Sequence, residues 1–133
     1  MDFNFTSGTA AYSDIRTEVA NLGQRFPADY WRRLDAERAY PSEFVNALTE
    51  AGYLGALIPE SYGGAGLSLS AAAAILEEIH YQGANGAACH AQMYIMGALL
   101  RHGSEAQKER YLPAIASGEI RLQAFGVTEP TSG

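Results

Sequence analysis

The sequence predicts an all-α fold, an antiparallel bundle of five to six helices, followed by a single β-strand. Apolar residues recur with helical spacing through most of the chain, and residues typical of helix starts and stops divide it into segments of ordinary helix length. The connections between these segments are short, which favours antiparallel neighbours. Near the end, residues 121–125 alternate polar and apolar side chains, which is typical of a half-buried strand.

The first three helices are marked by their starting residues. Ser13 can cap the first helix, Pro27 suits the first position of the second, and Pro41 begins the third. Gly52 provides the C-terminal stop of the third helix, and a glycine-rich loop continues to Gly66. Each of these helices carries an apolar stripe, which predicts that it packs on its neighbours with that face.

Two longer helices follow the loop. The first is opened by Ser68 or Ser70 and reaches about Gln82. The Asn-Gly pair at 85–86 then breaks the chain before a long apolar helix, which ends at Gly103. Both segments are rich in alanine and other apolar residues, so we expect them to contribute to the core.

The last helix has the clearest start. Ser104 and Gln107 have the spacing of a capping box, in which each side chain satisfies a backbone N–H of the first turn. The helix closes at Gly118. We therefore place a helical domain over residues 1–118 and the start of a second domain over residues 119–133.

Composition limits the classes of partner. The formal net charge of −6 argues against nucleic acid or an anionic membrane. Cys89 is the single cysteine, which excludes an intramolecular disulfide and fits a reducing compartment. No basic segment followed by an apolar stretch opens the chain, and no apolar run approaches bilayer length. We therefore expect a soluble, cytoplasmic protein.

Three motifs carry a resemblance to a known family. Residues 57–66 read L-I-P-E-S-Y-G-G-A-G, residues 103–113 read G-S-E-A-Q-K-E-R-Y-L-P, and residues 125–133 read F-G-V-T-E-P-T-S-G. They resemble the P-E-x-Y-G-G-x-G loop, the G-(S/T)-x-x-Q-K-x-x-Y-L-P helix start and the T-E-P-x-x-G-S-D flavin segment of acyl-CoA dehydrogenases. Their order and approximate spacing are also similar. The resemblance implies the front third of such an enzyme, cut inside its cofactor site and after the first strand of a truncated β domain.

The resemblance also implies that FAD is the cofactor. A strand that runs into a small-residue turn leaves backbone N–H groups free for a polar ring edge or a phosphate. In the family this segment faces the pyrimidine edge of the flavin, where donors stabilise the charge of the reduced ring. Phe125, Val127 and Thr128 would therefore contact the ring, mostly through backbone, and Ser132 and Gly133 would begin the turn towards the pyrophosphate.

One face of the long helix is a candidate wall for the substrate. Ala87, His90, Ala91 and Tyr94 have the spacing of a single helix face, and the small residues among them leave room for a slender ligand. The family passes its acyl chain beside the equivalent helix, so we expect these four residues to contact acyl-CoA. The alternative is that the small residues only permit close helix packing.

The activity implied by the resemblance is α,β-dehydrogenation of acyl-CoA. The family takes its base from a distant glutamate, so we expect no catalytic residue before Gly133, and Glu129 has a structural role. Electron-transferring flavoprotein is the implied electron acceptor and a homotetramer the implied assembly, and the 133-residue chain alone is expected to be inactive. An acyl-CoA oxidase or a flavin monooxygenase on the same scaffold, or a free-standing helical interaction module without cofactor, are the alternatives.

No metal site is expected. The E-x-x-H sequence at 77–80 lacks the second copy that a di-iron bundle requires, and His80, His90 and His102 lack metal-ligand spacing. Cys89 lies in an apolar helix without an activating partner, which indicates a buried, unreactive thiol.

Overall fold

The computed structural model describes residues 11–132 and confirms the all-α antiparallel bundle. Two 3-10 turns, Tyr53–Gly55 and Glu60–Tyr62, lie in the loop between the third and fourth of its helices. The α-helices of the described residues are α1 (Ser13–Gly23), α2 (Ala28–Glu37), α3 (Ser42–Glu50), α4 (Leu69–Tyr81), α5 (Ala87–His102) and α6 (Glu105–Ser117).

The capping predictions for α4 and α6 are confirmed. The hydroxyl of Ser68 accepts the backbone N–H of Ala71 at 3.2 Å. In α6 the hydroxyl of Ser104 accepts the N–H of Gln107 at 3.2 Å, and the Gln107 side chain accepts the N–H of Ser104 at 2.8 Å. Each cap satisfies backbone donors that the first turn of a helix leaves open.

The predicted cap of α1 is wrong. Ser13 lies inside the helix, and Tyr12 occupies the capping position with a φ of 62° and no side-chain capping bond. The Tyr12 hydroxyl instead forms a hydrogen bond with the hydroxyl of Ser68, at 3.3 Å. A contact with the start of α4 therefore accompanies this helix end, where the sequence indicated only a local cap.

The core lies where α3, α5, α6 and the first 3-10 turn meet, and α4 covers it together with α1. Four aromatic rings close one side by edge-to-face contacts, which are favourable arrangements for aromatic pairs; they belong to Phe26, Tyr30, Trp31 and Phe44. The largest fully buried apolar side chains include Leu48, Leu54, Ile58, Ile75, Met96, Leu112 and Ile115.

The glycine-rich loop folds back on the first 3-10 turn and fixes the position at which α4 begins. The N–H of Gly66 donates to the carbonyl of Ile58 at 2.8 Å, and the N–H of Leu67 donates to the carbonyl of Ala56 at 2.7 Å. Gly64 lies so close to this backbone that a Cβ there would be 2.1 Å from the carbonyl oxygen of Ile58. Only glycine permits this approach.

The predicted strand at residues 121–125 is not formed. Within the described residues, 120–128 have no regular secondary structure, and an isolated bridge between Glu129 and Ser132 is the nearest strand-like pairing. A strand requires a neighbouring strand to accept and donate its backbone hydrogen bonds. Residues 119–132, hereafter the tail, instead lie against the bundle through side-chain contacts.

Candidate functional site

An apolar groove runs between α4 and α5. Its volume is about 240 Å³. One wall is α4, the opposite wall is α5, and the loop before α4 contributes a single leucine. We call it the α4/α5 groove and define it by its lining residues, Leu57, Leu69, Ala72, Ala73, Leu76, His90, Met93 and Tyr94.

The predicted substrate residues lie partly in this groove. His90 and Tyr94 line it, whereas Ala87 and Ala91 are not among its lining residues. Ala91 is only 8% exposed. Met93, on a neighbouring face of α5, lines the groove instead. The spacing along one helix shows which residues share a face, but the packing of α4 decides which edge of that face opens on a groove.

The α4 wall of the groove was not predicted from the sequence. Ala72 and Ala73 line it, and both belong to the four-alanine run of α4. Small side chains on two adjacent helices leave a space between them when larger residues on either side keep the helices apart. The alanine run was the available signal, because residues of that size cannot fill the space between helices.

A second apolar groove lies between α5, the start of α6 and the tail. Its volume is about 370 Å³. We call it the tail groove and define it by its lining residues, Ile95, Ala98, Leu99, His102, Gly103, Gln107, Leu122, Ala124 and Phe125. Three of these residues belong to the tail, so the tail forms part of the groove.

Three rings connect the two grooves. The rings of His90 and Tyr94 have centroids 5.3 Å apart and are nearly perpendicular. The ring of Tyr94 then meets that of Phe125 at 5.3 Å with an interplanar angle of 65°. Tyr94 lines the α4/α5 groove and Phe125 lines the tail groove. The first residue of the predicted flavin segment is therefore in contact with a wall residue of the α4/α5 groove.

A buried amide holds the tail in this place. Gln92 is fully buried on α5 and is the one buried polar side chain among the described residues. Its Nε2 donates to the backbone carbonyl of Leu54 at 3.0 Å, and its Oε1 accepts from Nε2 of Gln123 at 3.1 Å. The hydroxyl of Tyr40 donates to Oε1 of Gln123 at 2.6 Å. Gln92 was not predicted from the sequence, although an isolated glutamine in an apolar helix was a visible signal.

Arg121 provides a second attachment for the tail. Its guanidinium donates to the hydroxyl of Thr49 at 2.9 Å and to the side-chain oxygen of Asn46 at 2.7 Å. Both acceptors belong to α3, so the tail is attached to α3 by Arg121 and to α5 by Gln123. These side-chain bonds hold the segment without a sheet.

Past Gln123, the tail contains a row of backbone donors that are available to a ligand. Within the described residues, the N–H groups of 125–128 make no backbone hydrogen bonds. Phe125 is 57% exposed, Val127 is 67% exposed, and Thr128 is also exposed. Ser132 donates its N–H to the carbonyl of Glu129 at 3.4 Å, and Gly133 lies outside the described residues. Apolar side chains next to free donors fit a flat ring with a polar edge.

The predicted burial of Cys89 is confirmed. Its side chain is fully buried, and burial raises the pKa of the thiol to about 12. The thiolate is the nucleophile of cysteine chemistry, so this thiol is unreactive at neutral pH. Burial also raises the pKa of the Tyr53 hydroxyl, and Glu18 raises it further. No three His, Cys, Asp or Glu residues from 11 to 132 are grouped closely enough to hold a metal ion.

No helix within residues 11–132 combines the length and the apolar character needed to cross a membrane.

The chain matches the family model described as "Acyl-CoA dehydrogenase, N-terminal domain" over residues 9–119. The match covers α1 to α6, and with them the helical walls of both grooves. It ends at residue 119, where the tail begins.

Individual relatives agree with the family model. The chain is 34% identical to the glutaryl-CoA dehydrogenase of Desulfococcus multivorans, with 100% of the chain and 34% of that protein covered. It is 36% identical to the mitochondrial isovaleryl-CoA dehydrogenase of Pongo abelii, with 90% of the chain and 29% of that protein covered. The chain therefore spans about a third of the length of these relatives.

Solved structures share the fold. Butyryl-CoA dehydrogenase from Megasphaera elsdenii superimposes with a TM-score of 0.74 at 27% identity, covering 100% of this chain and 35% of that one. A chain from the structure described as the electron transferring flavoprotein of Acidaminococcus fermentans gives a TM-score of 0.75 at 28% identity, covering 100% and 34%. The motifs, the helical bundle and these similarities agree, and the chain belongs to the acyl-CoA dehydrogenase family, whose N-terminal domain it contains.

Proposed function

We propose that this chain is the N-terminal part of an FAD-dependent acyl-CoA dehydrogenase, which removes hydrogen from the α and β carbons of an acyl-CoA thioester. One observation supports this most directly. Tyr94 lines the α4/α5 groove, and Phe125 begins the row of free backbone donors at 125–128. The contact between the two rings therefore brings the groove and the donors next to each other. Dehydrogenation needs an acyl chain and a flavin next to each other, and the proximity of these two features supports the proposal.

The α4/α5 groove is the proposed site of the acyl chain. Its lining consists of six apolar side chains together with His90 and Tyr94. Each buried methylene contributes roughly 0.8 kcal/mol to binding, so a hydrocarbon chain gains affinity from such a surface without a polar partner. His90 and Tyr94, the polar members of the lining, are both exposed.

The tail is the proposed binding site of the flavin ring. FAD supplies the hydride acceptor that the oxidation of two adjacent carbons requires. The N–H groups of Val127 and Thr128, together with the Thr128 hydroxyl, would donate to the polar edge of the ring, where negative charge develops on reduction. Phe125 would provide apolar contact, and Ser132 and Gly133 would begin the turn towards the phosphates.

The base that removes the α-proton is proposed to come from a part of the protein outside this chain. Proton abstraction requires a carboxylate within hydrogen-bond reach of the α-carbon. No Asp or Glu is among the lining residues of the α4/α5 groove or the tail groove. The role of the described residues is therefore to bind and orient the acyl chain and the flavin.

We further propose that electrons leave the reduced flavin to an electron-transferring flavoprotein and that the whole protein is a homotetramer. A chain similar to this one comes from a structure described as that of an electron transferring flavoprotein, which supports such a protein as the partner. The relatives named as dehydrogenases support transfer to a protein acceptor over reaction with oxygen.

The test uses the protein as its gene encodes it, purified and titrated with butyryl-CoA without oxygen. We expect bound FAD, loss of the visible flavin absorbance on adding substrate, and its recovery on adding electron-transferring flavoprotein. Rapid recovery of the flavin absorbance on adding oxygen, with production of peroxide, would instead indicate an oxidase. Hydroxylated product formed with oxygen would indicate a monooxygenase. Absence of both FAD binding and acyl-CoA binding would reject the proposal and favour a helical interaction module.

A further inference from the structure

We propose that Gln92 is a positioning residue that joins the acyl site to the flavin site, with Gln123 and Tyr40 completing the connection. This inference rests on the proposed function, because it assigns the α4/α5 groove to the acyl chain and the tail to the flavin. Gln92 touches neither ligand site directly. It acts through the two segments to which its side-chain amide is bonded.

One end of the amide fixes the wall of the acyl site. Nε2 of Gln92 donates to the carbonyl of Leu54 at 3.0 Å, across a sequence separation of 38 residues. Leu54 lies in the 3-10 turn Tyr53–Gly55, and Leu57, which lines the groove, lies two residues beyond the end of that turn. On its own helix, Gln92 is next to Met93, another lining residue. The bond therefore holds α5 against the loop that contributes Leu57 to the groove.

The other end of the amide fixes the flavin segment. Oε1 of Gln92 accepts from Nε2 of Gln123 at 3.1 Å, and Oε1 of Gln123 accepts from the hydroxyl of Tyr40 at 2.6 Å. Phe125 follows Gln123 by two residues and meets the ring of Tyr94 at 5.3 Å. These bonds, together with Arg121, hold the tail at the place where its backbone donors begin.

An amide is the side chain that can make both bonds at once. It carries a donor and an acceptor on one carbon, whereas a carboxylate has only acceptors and a leucine has neither. Gln92 is fully buried, and burying an amide is favourable only when its hydrogen bonds are satisfied. An apolar residue of similar size would be buried at a lower desolvation cost. We therefore attribute the presence of a glutamine at this position to its role in connecting the two segments.

The first experiment measures the position of the tail in the 133-residue chain. In NMR spectra, we expect a nuclear Overhauser effect between the rings of Tyr94 and Phe125. Gln123→Ala should remove or strongly weaken it, because the tail then loses its bond to α5. Tyr40→Phe should weaken it less. Tyr81→Phe is the matched control, since Tyr81 is 83% exposed on α4 and has no part in these bonds. An unchanged effect in Gln123→Ala would overturn the inference.

The second experiment measures ligand affinities in the protein as its gene encodes it. Gln123→Ala should raise the Kd for FAD roughly fivefold, the value of one ordinary hydrogen bond, and leave the Kd for butyryl-CoA unchanged. Gln92→Leu should raise both values. If Gln92→Leu does not fold, Gln123→Ala and Tyr40→Phe still decide the question, because both residues lie near the surface and neither belongs to the core.

The outcomes separate this inference from the proposed function. Wild-type protein that binds neither FAD nor acyl-CoA overturns both. If the wild-type protein binds FAD and acyl-CoA, and Gln123→Ala and Tyr40→Phe bind FAD with wild-type affinity, only the positioning role is overturned. Equal losses of FAD and acyl-CoA affinity in Gln123→Ala, accompanied by a lower Tm, would mean general destabilisation and would also overturn it. A loss confined to FAD at an unchanged Tm supports it.

Discussion

The ring of Phe125 meets the ring of Tyr94 edge-on, with centroids 5.3 Å apart. Tyr94 belongs to α5, and Phe125 belongs to a tail without regular secondary structure. Edge-to-face aromatic pairs contribute about 0.5–1.5 kcal/mol beyond the burial of their area. The contact is therefore strong enough to help orient the tail, and it defines where the proposed acyl and flavin sites meet.

Chain-length preference tests the assignment of the α4/α5 groove. Ala73→Phe should place a ring in the groove, because Ala73 lines it. Long acyl-CoA substrates should then lose more kcat/KM than short ones, since each excluded methylene is worth roughly 0.8 kcal/mol. The measurement is kcat/KM for a series of straight-chain acyl-CoA substrates.

Ala91→Phe is the matched control for that substitution. Ala91 is 8% exposed and does not line the groove, so a ring there overpacks the helix contact, at a cost of about 1–3 kcal/mol in stability. We expect a lower Tm and a similar loss of kcat/KM at every chain length. A selective loss of long substrates in Ala91→Phe, with none in Ala73→Phe, would contradict the groove assignment.

Flavin affinity tests the assignment of the tail. Thr128→Val keeps the shape of the side chain and removes its hydroxyl donor. If that donor faces the flavin in a buried site, the whole protein should lose about 1–3 kcal/mol of FAD binding free energy. Thr131→Val, three residues further along in the exposed turn, should have little effect. Equal FAD affinities for wild type and Thr128→Val, measured by flavin fluorescence, would refute the contact.

In the loop before α4, substitution of Gly64 should destabilise the protein more than substitution of its neighbour Gly63. Gly63 has a φ of +83°, but a Cβ at this position would meet nothing within 4 Å, so Gly63→Ala should cost only about 1–2 kcal/mol, the strain of a left-handed residue. Gly64→Ala should cost more, because its Cβ would be 2.1 Å from the carbonyl oxygen of Ile58. Urea unfolding of the two variants measures both costs, and similar values would contradict this packing.

Stability should fall at alkaline pH partly because of Cys89. Its pKa rises from an ordinary 9.0 to about 12 in the folded protein, so the unfolded state loses the thiol proton first as the pH rises. This contribution is fully present below pH 9 and is lost between about pH 9 and 12, at up to about 1.4 kcal/mol per pH unit. Unfolding free energies of wild type and Cys89→Ala between pH 8 and about 11 should converge as the pH rises. Parallel curves would show that the thiol does not titrate in this way.

Helix boundaries were predictable where the signals are local. The caps at Ser68 and Ser104 involve residues three positions apart, and both are formed as the sequence indicates. The start of α1 was not, because Tyr12 takes the capping position and bonds to Ser68, which is 56 residues away. The alternation at 121–125 predicted a strand that is not formed, since no described segment offers the backbone partner that a strand requires.

Local sequence signals were enough to assign the all-α bundle, the family and the two segments proposed to meet the ligands, because periodicity, caps and motifs are properties of neighbouring residues. Tertiary packing selected the side chains that line the groove, and it brought Gln92 between Leu54 and Gln123. The physical reason is that a groove and a buried amide both depend on how separate segments pack. Ala72 and Ala73 on α4 share the groove with His90 and Tyr94 on α5, and no spacing along one helix encodes the face of another.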